Sequence, residues 1–587
     1  MDRTAWIVVI LCVIGLVGWQ IYVAKQMSPR PVPINVASGQ VSPTATPKVF
    51  EPSPPPAVPE ATAKSTEPVP SFAEKIETLR NSDVELRLTN RGGGIKEAVL
   101  LKQVAEKGQR VVLNSAQGAP IGAILESREL GTPTLPEFTA STELDSVVKF
   151  ERTTAEQVAI RKKFFFQKSS ENKDNYVIEM DVDLENQGTK PYQSAGYFVA
   201  LGSTAPIHPK DYPTYTRLAW CIDGRAKGID AGWFSSSGGF LGVVGQRAAR
   251  PYYQENIAGA EWVAVSNQFF TTLMAPLTAK ATGVWGRGFE IEHPPDQKLL
   301  GIEGALGMPE FQLQPGQTYS ARFEIYAGPK LYHRLAQLPH NEAEIMNFGM
   351  FKIVCQFLLN FMNLLHSWLH DYGLAILALT TVVKLTLWPI QNKANRSMQR
   401  MALLSPKMQE LRDKYKDDPT RMNQELMKLY KQYGINPVGG CLPMLIQIPI
   451  FFGLFTMLGQ AVELRNAKFL WVKDLSQPDT LFVIPGMGWV PILGIVGVGL
   501  AVNILPIIMG ATQVWLMRMT PKTGDPTQRR VMMFMPLIFL FFCYNFAAAL
   551  ALYYTAQNLF SILQFWYNKR QPMPTLEKVS PPAKQKR

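Results

Sequence analysis

The segment LAILALTTVVKLTLWPIQ, residues 374–391, places one ionisable side chain, Lys384, inside an otherwise apolar run. An ammonium at mid-membrane costs about 3 kcal/mol on insertion scales, so a lysine kept there asks for a use. Snorkelling is one use, but the end of the run lies roughly 10 Å away at 1.5 Å per residue, and a lysine stem covers about half of that. The other use is a polar cavity between membrane helices. Polar company for such a cavity comes from Thr380 and Thr381 beside the lysine, Gln447 in a second apolar run, and Tyr553, Tyr554, Thr555, Gln557 and Asn558 in a last one. None of these runs carries an Asp or Glu near mid-depth. Ion- and proton-coupled transporters need such acids. A lone cation in a neutral lining instead suits a polar or acidic segment of another protein.

Other chemistries are poorly provided for. His366 and His370 are four apart, a spacing that fits a metal pair on a helix, but no third ligand accompanies them, and interfacial polar residues are the better reading. No paired-carboxylate or triad pattern stands out in the polar part of the chain. No G-x-x-x-x-G-K-[ST] loop occurs, so nucleotide hydrolysis by this chain is not expected. Of the five cysteines, only Cys221 lies outside apolar surroundings, so no disulfide framework is indicated. No cofactor is expected.

The elements that position these residues follow from patterning. The apolar run 4–24 exceeds the length of a signal-peptide core and lacks a good cleavage pattern, so residues 1–27 are expected to be a retained membrane anchor. Residues 28–71 hold twelve prolines among Ser, Thr, Ala and Glu and read as an extended, disordered linker. Residues 72–335 alternate like short strands. In VELRLTNRGGGIKEAVLL, Val84, Leu86 and Leu88 alternate up to a turn at Gly92–Gly94. VAIRKKFFFQ and YVIEMDVDLENQG read as another strand pair. An all-β sandwich with a binding or scaffolding role is expected.

Residues 351–371 are apolar on one side but interrupted by Lys352, Gln356, Asn360, Asn363 and His366, which predicts a helix lying in the membrane interface. The second span is expected at 372–390, with spans three to six within 441–567 at 441–462, 500–517, 531–546 and 548–567. Residues 483–499, broken by Pro485, Pro491 and several glycines, read as a loop or re-entrant segment. The fold class is therefore mixed: a polytopic α-helical membrane core of six spans, plus the β-sandwich domain.

The formal net charge is +12, and its placement orients the chain. Segment 391–440 carries ten Lys/Arg against five Asp/Glu. Segment 518–530 carries Arg518, Lys522, Arg529 and Arg530 against Asp525, and the tail 568–587 is basic as well. Six spans with a cytoplasmic N-terminus put all three on the cytoplasmic side, as the positive-inside rule requires; a seventh at 483–499 would not. Within 391–440, Met398, Met401, Leu404, Met408, Leu411 and Tyr415 recur at steps of three and four, as do Met422, Leu426, Leu429 and Tyr433, with KDDP between them. This predicts a cytoplasmic helical hairpin with an apolar seam. Its methionines suit varied partners, and its basic faces suit RNA or anionic lipid.

NPVGGCLPMLIQIPIFFGLF (436–455), MTPKTGDPTQRRVMMFMPLIF (519–539) and LALYYTAQNLFSILQ (550–564) resemble the YidC-type membrane protein insertases, relatives of the Oxa and Alb insertases. LRLTNRGGGIKEAVLL, WVAVSNQFF and LQPGQT with YAGPK resemble the long Gram-negative form, which carries a periplasmic domain. The resemblance implies that five of the six helices form a core around a hydrophilic groove. Lys384 stands where that family usually has arginine, and substrate-contacting positions fall on Gln447, Tyr553 and Tyr554, with Thr381 and Asn558 lining the same groove. It implies a non-enzymatic insertase and chaperone of the bacterial inner membrane, with both termini cytoplasmic. Its partners would be nascent membrane proteins, lipid, the ribosome through the basic tail and the hairpin (Met401, Met408, Leu411, Met422, Leu426), and the Sec translocon. A solute transporter and a periplasmic sensor are the rivals. The first calls for inverted repeats, which are not seen; the second leaves the hairpin and Lys384 without a role.

Overall fold

A computed structural model describes residues 72–576 apart from 106–107, 117, 126–134, 144–145, 168–174, 209–210, 237–246, 294–296, 417, 436–441, 486–493, 496–498, 521–525 and 573–575. The expected anchor 1–27, the linker 28–71 and the tail beyond 576 lie outside the described residues.

The expected alternation of Val84, Leu86 and Leu88 is realised as strand Val84–Thr89, and all three side chains are fully buried. This strand pairs antiparallel with Gly94–Val104. The connection turns through Gly92 and Gly93 at φ of 75° and 57°. A Cβ at Gly93 would sit 2.8 Å from the Phe138 ring, so the turn needs both the left-handed backbone and the missing side chain. Strands Val158–Phe166 and Val177–Asn186 pair with each other, as their sequences suggested.

These strands belong to an antiparallel architecture running from Ile76 to Pro329. One sheet has nine strands and another five, accompanied by a four-stranded and a two-stranded sheet. The two largest face each other. On strand Gln297–Met308 of the five-stranded sheet, the position of a Gly304 Cβ lies 2.7 Å from Val265 and 2.9 Å from Leu218 of the nine-stranded one. A side chain there would push the layers apart. Trp220 fills the interior between them, stacked on Tyr253 of the five-stranded sheet, while Trp262 is buried on the opposite face of the nine-stranded sheet and donates to His340 O at 3.0 Å.

The C-terminal region is helical: α1 (Lys352–Leu369), α2 (Tyr372–Leu403), α3 (Ser405–Lys414), α4 (Pro419–Gln432), α5 (Leu442–Leu458), α6 (Ile504–Met519), α7 (Pro526–Cys543) and α8 (Ala548–Lys569). α1 buries Cys355, Leu358, Leu359 and Met362 against the core, yet Ile353, Phe357, Leu364 and Trp368 are exposed on its other side. Among the described residues, α2 alone is both long and apolar enough to cross a membrane, and α5, α6 and α7 contain shorter apolar helices.

Several boundaries differ from expectation. α2 does not stop at residue 390; Pro389 lies inside it and the helix continues to Leu403. A proline removes one hydrogen bond and bends a helix, but the next turns can resume. The first arm of the hairpin is therefore split. Met401 belongs to α2, and Met408 and Leu411 to α3, which starts afresh at Ser405 with Pro406 in its first turn. Residues 483–499 are not simply a loop. Strands Thr480–Ile484, Gly494–Ile495 and Gly499–Asn503 form a small antiparallel sheet, and α6 starts at Ile504 rather than at 500. Gly499, at φ of 140°, makes this possible, because a Cβ there would lie 2.2 Å from the Ile484 carbonyl oxygen.

The β domain is tied to the helical core by side chains that reach main-chain oxygens. Gln268 Nε2 donates to Gly459 O at 2.7 Å, Arg465 Nη1 to Val104 O at 2.6 Å, and Tyr212 Oη to Asn545 O at 3.4 Å.

Candidate functional site

Lys384 lies in the middle of α2 and is 6% exposed. Its Nζ neither reaches the helix end nor faces a carboxylate. It donates to Oγ of Ser561 on α8 at 2.8 Å. Ser561 in turn donates to the carbonyl of Gln557, one turn earlier, at 2.9 Å, which leaves its lone pairs free for the ammonium. No Asp or Glu among the described residues comes within 4.0 Å of the Lys384 nitrogen. The charge therefore has one neutral hydrogen-bond partner, well short of the three an ammonium can serve.

Gln557 also faces a third helix: Gln447 Nε2 on α5 donates to Gln557 Oε1 at 3.0 Å. α8 thus joins α2 and α5 through Ser561 and Gln557. Below Lys384 the α2–α8 contact stays polar. Asn392 Oδ1 accepts from Gln564 Nε2 at 2.8 Å and from Asn568 Nδ2 at 3.0 Å, and Arg396 Nη2 donates to Gln571 Oε1 at 2.7 Å. Trp388 and Tyr567 fill the step between, with ring centroids 6.3 Å apart. Positions 384, 388, 392 and 396 recur every fourth residue, so one stripe of α2 carries all of them, over about 18 Å of helix.

The remaining expected residues divide. Thr381, half-buried, donates back to Leu377 O at 2.8 Å within its own helix. Tyr553 and Tyr554 are 1% and 5% exposed. Tyr554 packs among Phe451 of α5, Phe539 of α7 and Tyr553, at centroid distances of 5.4, 5.4 and 5.2 Å. Its hydroxyl is buried with no hydrogen-bond partner among the described residues. Asn558 faces away from Lys384. Its amide donates to Met509 O at 3.3 Å and Thr512 Oγ1 at 3.2 Å, fastening α8 to α6. Sequence reasoning missed Ser561 and the Asn392–Gln564–Asn568 cluster. The available signal was the spacing of Gln557, Ser561, Gln564 and Asn568, which puts four small polar side chains on one face of an apolar helix.

The His366 ring stacks on Tyr372 at 3.7 Å, and among the described residues no group of three or more His, Cys, Asp or Glu side chains could hold a metal. Cys221, Cys355 and Cys543 are free and buried.

The hairpin seam forms one cluster. Met408 and Leu426 are buried with Leu404, Tyr433 and Ile435, and Met401, Leu411 and Met422 pack against them, as does Leu576 from the tail. Asp418 caps α4 by accepting from the Arg421 amide at 3.0 Å.

Residues 77–361 match the family model for the YidC periplasmic domain, and residues 364–575 match that for the 60Kd inner membrane protein. A membrane protein insertase YidC from Oleidesulfovibrio alaskensis is 31% identical over 592 residues, covering 96% of this chain and 98% of that one. One from Syntrophobacter fumaroxidans is 39% identical over 314 residues, covering 52% and 53%. A solved structure described as an active YidC insertase with its first transmembrane domain resolved aligns over 85% of this chain and 95% of that one, at 18% identity and a TM-score of 0.33.

Proposed function

The chain belongs to the YidC family of membrane protein insertases, with the periplasmic domain of its long form, and on that premise we propose that it inserts and helps fold nascent inner-membrane proteins through the polar interface of α2, α5 and α8. The observation that carries this reading is the state of Lys384: buried, and held by a single neutral hydroxyl. A polar or acidic segment of a client can replace Ser561 and offer the ammonium more than Ser561 does. The exchange swaps one hydrogen bond for another and adds Coulomb attraction in a medium of low dielectric.

The wider polar stripe supports a path. Gln447, Gln557, Ser561, Gln564, Asn568 and Asn392 present amides and hydroxyls, which bind a peptide backbone without choosing its sequence. The aromatic cluster of Phe451, Phe539, Tyr553 and Tyr554 offers the apolar surface along which a client helix passes into lipid. Release of that helix into hydrocarbon, helped by the membrane potential at about 2.3 kcal/mol per charge per 100 mV, drives the step without nucleotide.

In this reading α1 lies in the interface, its exposed Ile353, Phe357, Leu364 and Trp368 meeting lipid. Six spans place both termini and the α3–α4 hairpin in the cytoplasm and the β domain in the periplasm. The hairpin and the basic tail receive the ribosome or the client, and the chain works alone or beside the Sec translocon.

The test is photocrosslinking in cells from a reactive amino acid at Gln447 or Tyr554 during synthesis of a single-span client. A crosslink to the nascent helix that disappears on chain release is expected. Absence of any crosslink, with insertion intact when Lys384 is leucine, would sink the proposal.

A further inference from the structure

At the end of α5 away from the hairpin, the β domain and the helical core form a half-open cavity of about 710 Å³. Arg217, Arg247 and Lys330 line it, against one carboxylate, Asp230. Lys330 is 2% exposed, and its Nζ makes one hydrogen bond, to Gln460 Oε1 at 3.2 Å. Burial, with the Arg217 guanidinium beside it, pushes that ammonium down to about 7. Arg217 is also disfavoured by burial, with Asp230 opposing the effect. Arg247 donates from Nη2 to Gly232 O at 2.8 Å and Ser235 O at 3.2 Å, while its Nε is buried without a partner.

Two guanidiniums and an ammonium brought down to about 7, against one carboxylate, leave an excess of positive charge in a partly dry site, and such an excess is costly unless an anion joins it and keeps the lysine protonated. Guanidinium forks match phosphate oxygens in geometry as well as in charge. The remaining wall mixes polar side chains, among them Ser266, Asn347 and Thr456, with aromatic ones, Trp233 and Tyr215 from the β domain and Phe455 from α5. Phe455 belongs to a helix that exposes Ile448 and Phe452 outward, at 38% and 45%, as a lipid-facing helix does.

We propose that this cavity binds a phosphate-bearing anion, the headgroup of a phospholipid entering from the leaflet around the end of α5. The charge composition selects a phosphate, and Trp233, Tyr215 and Phe455 beside a lipid-facing helix select a phosphate that carries an apolar tail. Binding would fasten the β domain to the end of α5 through a lipid. The proposal is independent of the groove around Lys384.

The test is native mass spectrometry of the full chain purified in mild detergent, with inorganic phosphate and short-chain phosphatidylglycerol added in separate arms. One retained or added phospholipid per chain is expected, with occupancy at least tenfold lower in Arg217→Gln and Lys330→Met. Arg247→Gln, at a half-buried position, gives up its bonds to Gly232 O and Ser235 O but is less disturbing to folding than a change at buried Lys330; it should lower occupancy severalfold with a smaller fall in melting temperature than Lys330→Met. Binding of inorganic phosphate with no phospholipid would overturn the lipid source. Equal lipid occupancy in wild type and all three variants, or binding of neither compound, would overturn the proposal.

Discussion

The Lys384 ammonium and the Ser561 hydroxyl, 177 residues apart in the chain, are joined by a 2.8 Å hydrogen bond inside an apolar bundle. Most buried charges are paired with an opposite charge or with several dipoles. This one is held by a single side chain, so its removal has separable effects on folding and on function.

Replacing Lys384 by methionine keeps the stem and deletes the charge. The expected result is an unchanged or raised melting temperature in detergent, with insertion of a client bearing an acidic translocated segment reduced at least severalfold. Lys384→Glu should abolish insertion of that client. Equal insertion by wild type and Lys384→Glu would remove the lysine from the mechanism.

Ser561→Ala leaves the ammonium buried without its partner, at a cost of about 1–3 kcal/mol. The double variant Lys384→Met, Ser561→Ala should recover most of that loss, since both ends of the contact are then apolar. A double-mutant cycle by thermal or denaturant unfolding measures the coupling.

Asn392→Leu strands the amides of Gln564 and Asn568, and Gln564 is only 3% exposed. A destabilisation of about 1–3 kcal/mol is expected. Hydrogen exchange should quicken along residues 385–400 and 560–570 and stay unchanged in the β domain.

Lys162 is fully buried in the β domain, its Nζ donating to Gly92 O at 2.7 Å and Gly122 O at 3.1 Å beneath the Phe138 ring. Burial pushes its ammonium down to about 7 from the ordinary 10.5. Between those two values the unfolded chain holds a proton that the folded chain has lost, so stability from this group rises with pH from about 7 to about 10.5 and is flat below 7. The difference in unfolding free energy between wild type and Lys162→Met should rise over that window. A difference that falls there would contradict the assignment.

Met408→Ala and Leu426→Ala each open the hairpin seam, and together they should melt α3 and α4 while sparing the bundle. Core truncations of this kind cost about 2–5 kcal/mol each, more than an isolated helical hairpin can supply. Loss of exchange protection confined to residues 405–432, with client insertion reduced, is the expected pair of results.

Much of this was legible in the sequence because the signals were periodic. Val84, Leu86 and Leu88 repeat with period two, Met408, Leu411, Met422 and Leu426 with steps of three and four, and both elements formed where those periods lie. Lys384 stood out because charge is costly in its surroundings. Its partner did not, because Ser561 is small, neutral and tolerated at many helical positions. Pattern alone does not separate Gln557 from Asn558, since one residue along a helix turns a side chain by about 100°, and packing sends Gln557 to α5 and Asn558 to α6. The strands at 480–503 are hard to read from sequence because glycines and prolines interrupt a continuously apolar stretch and leave no alternation. Pro389 mimics a helix stop in the sequence, yet α2 runs on to Leu403.

The joint between the β domain and the helical core has a consequence for divergence among relatives. Gln268, Arg465 and Tyr212 grip carbonyl oxygens of Gly459, Val104 and Asn545. Every residue has a carbonyl. Val104 and Asn545 can therefore change without loosening these contacts as long as the backbone keeps its course, whereas Gly459 has no room for a Cβ beside the Tyr215 hydroxyl, and Lys330–Gln460 and Asp211–Gln477 must change as pairs. Domains exchanged between distant relatives should dock when the gripping side chains, Gly459 and both pairs are kept, however little else the two parents share.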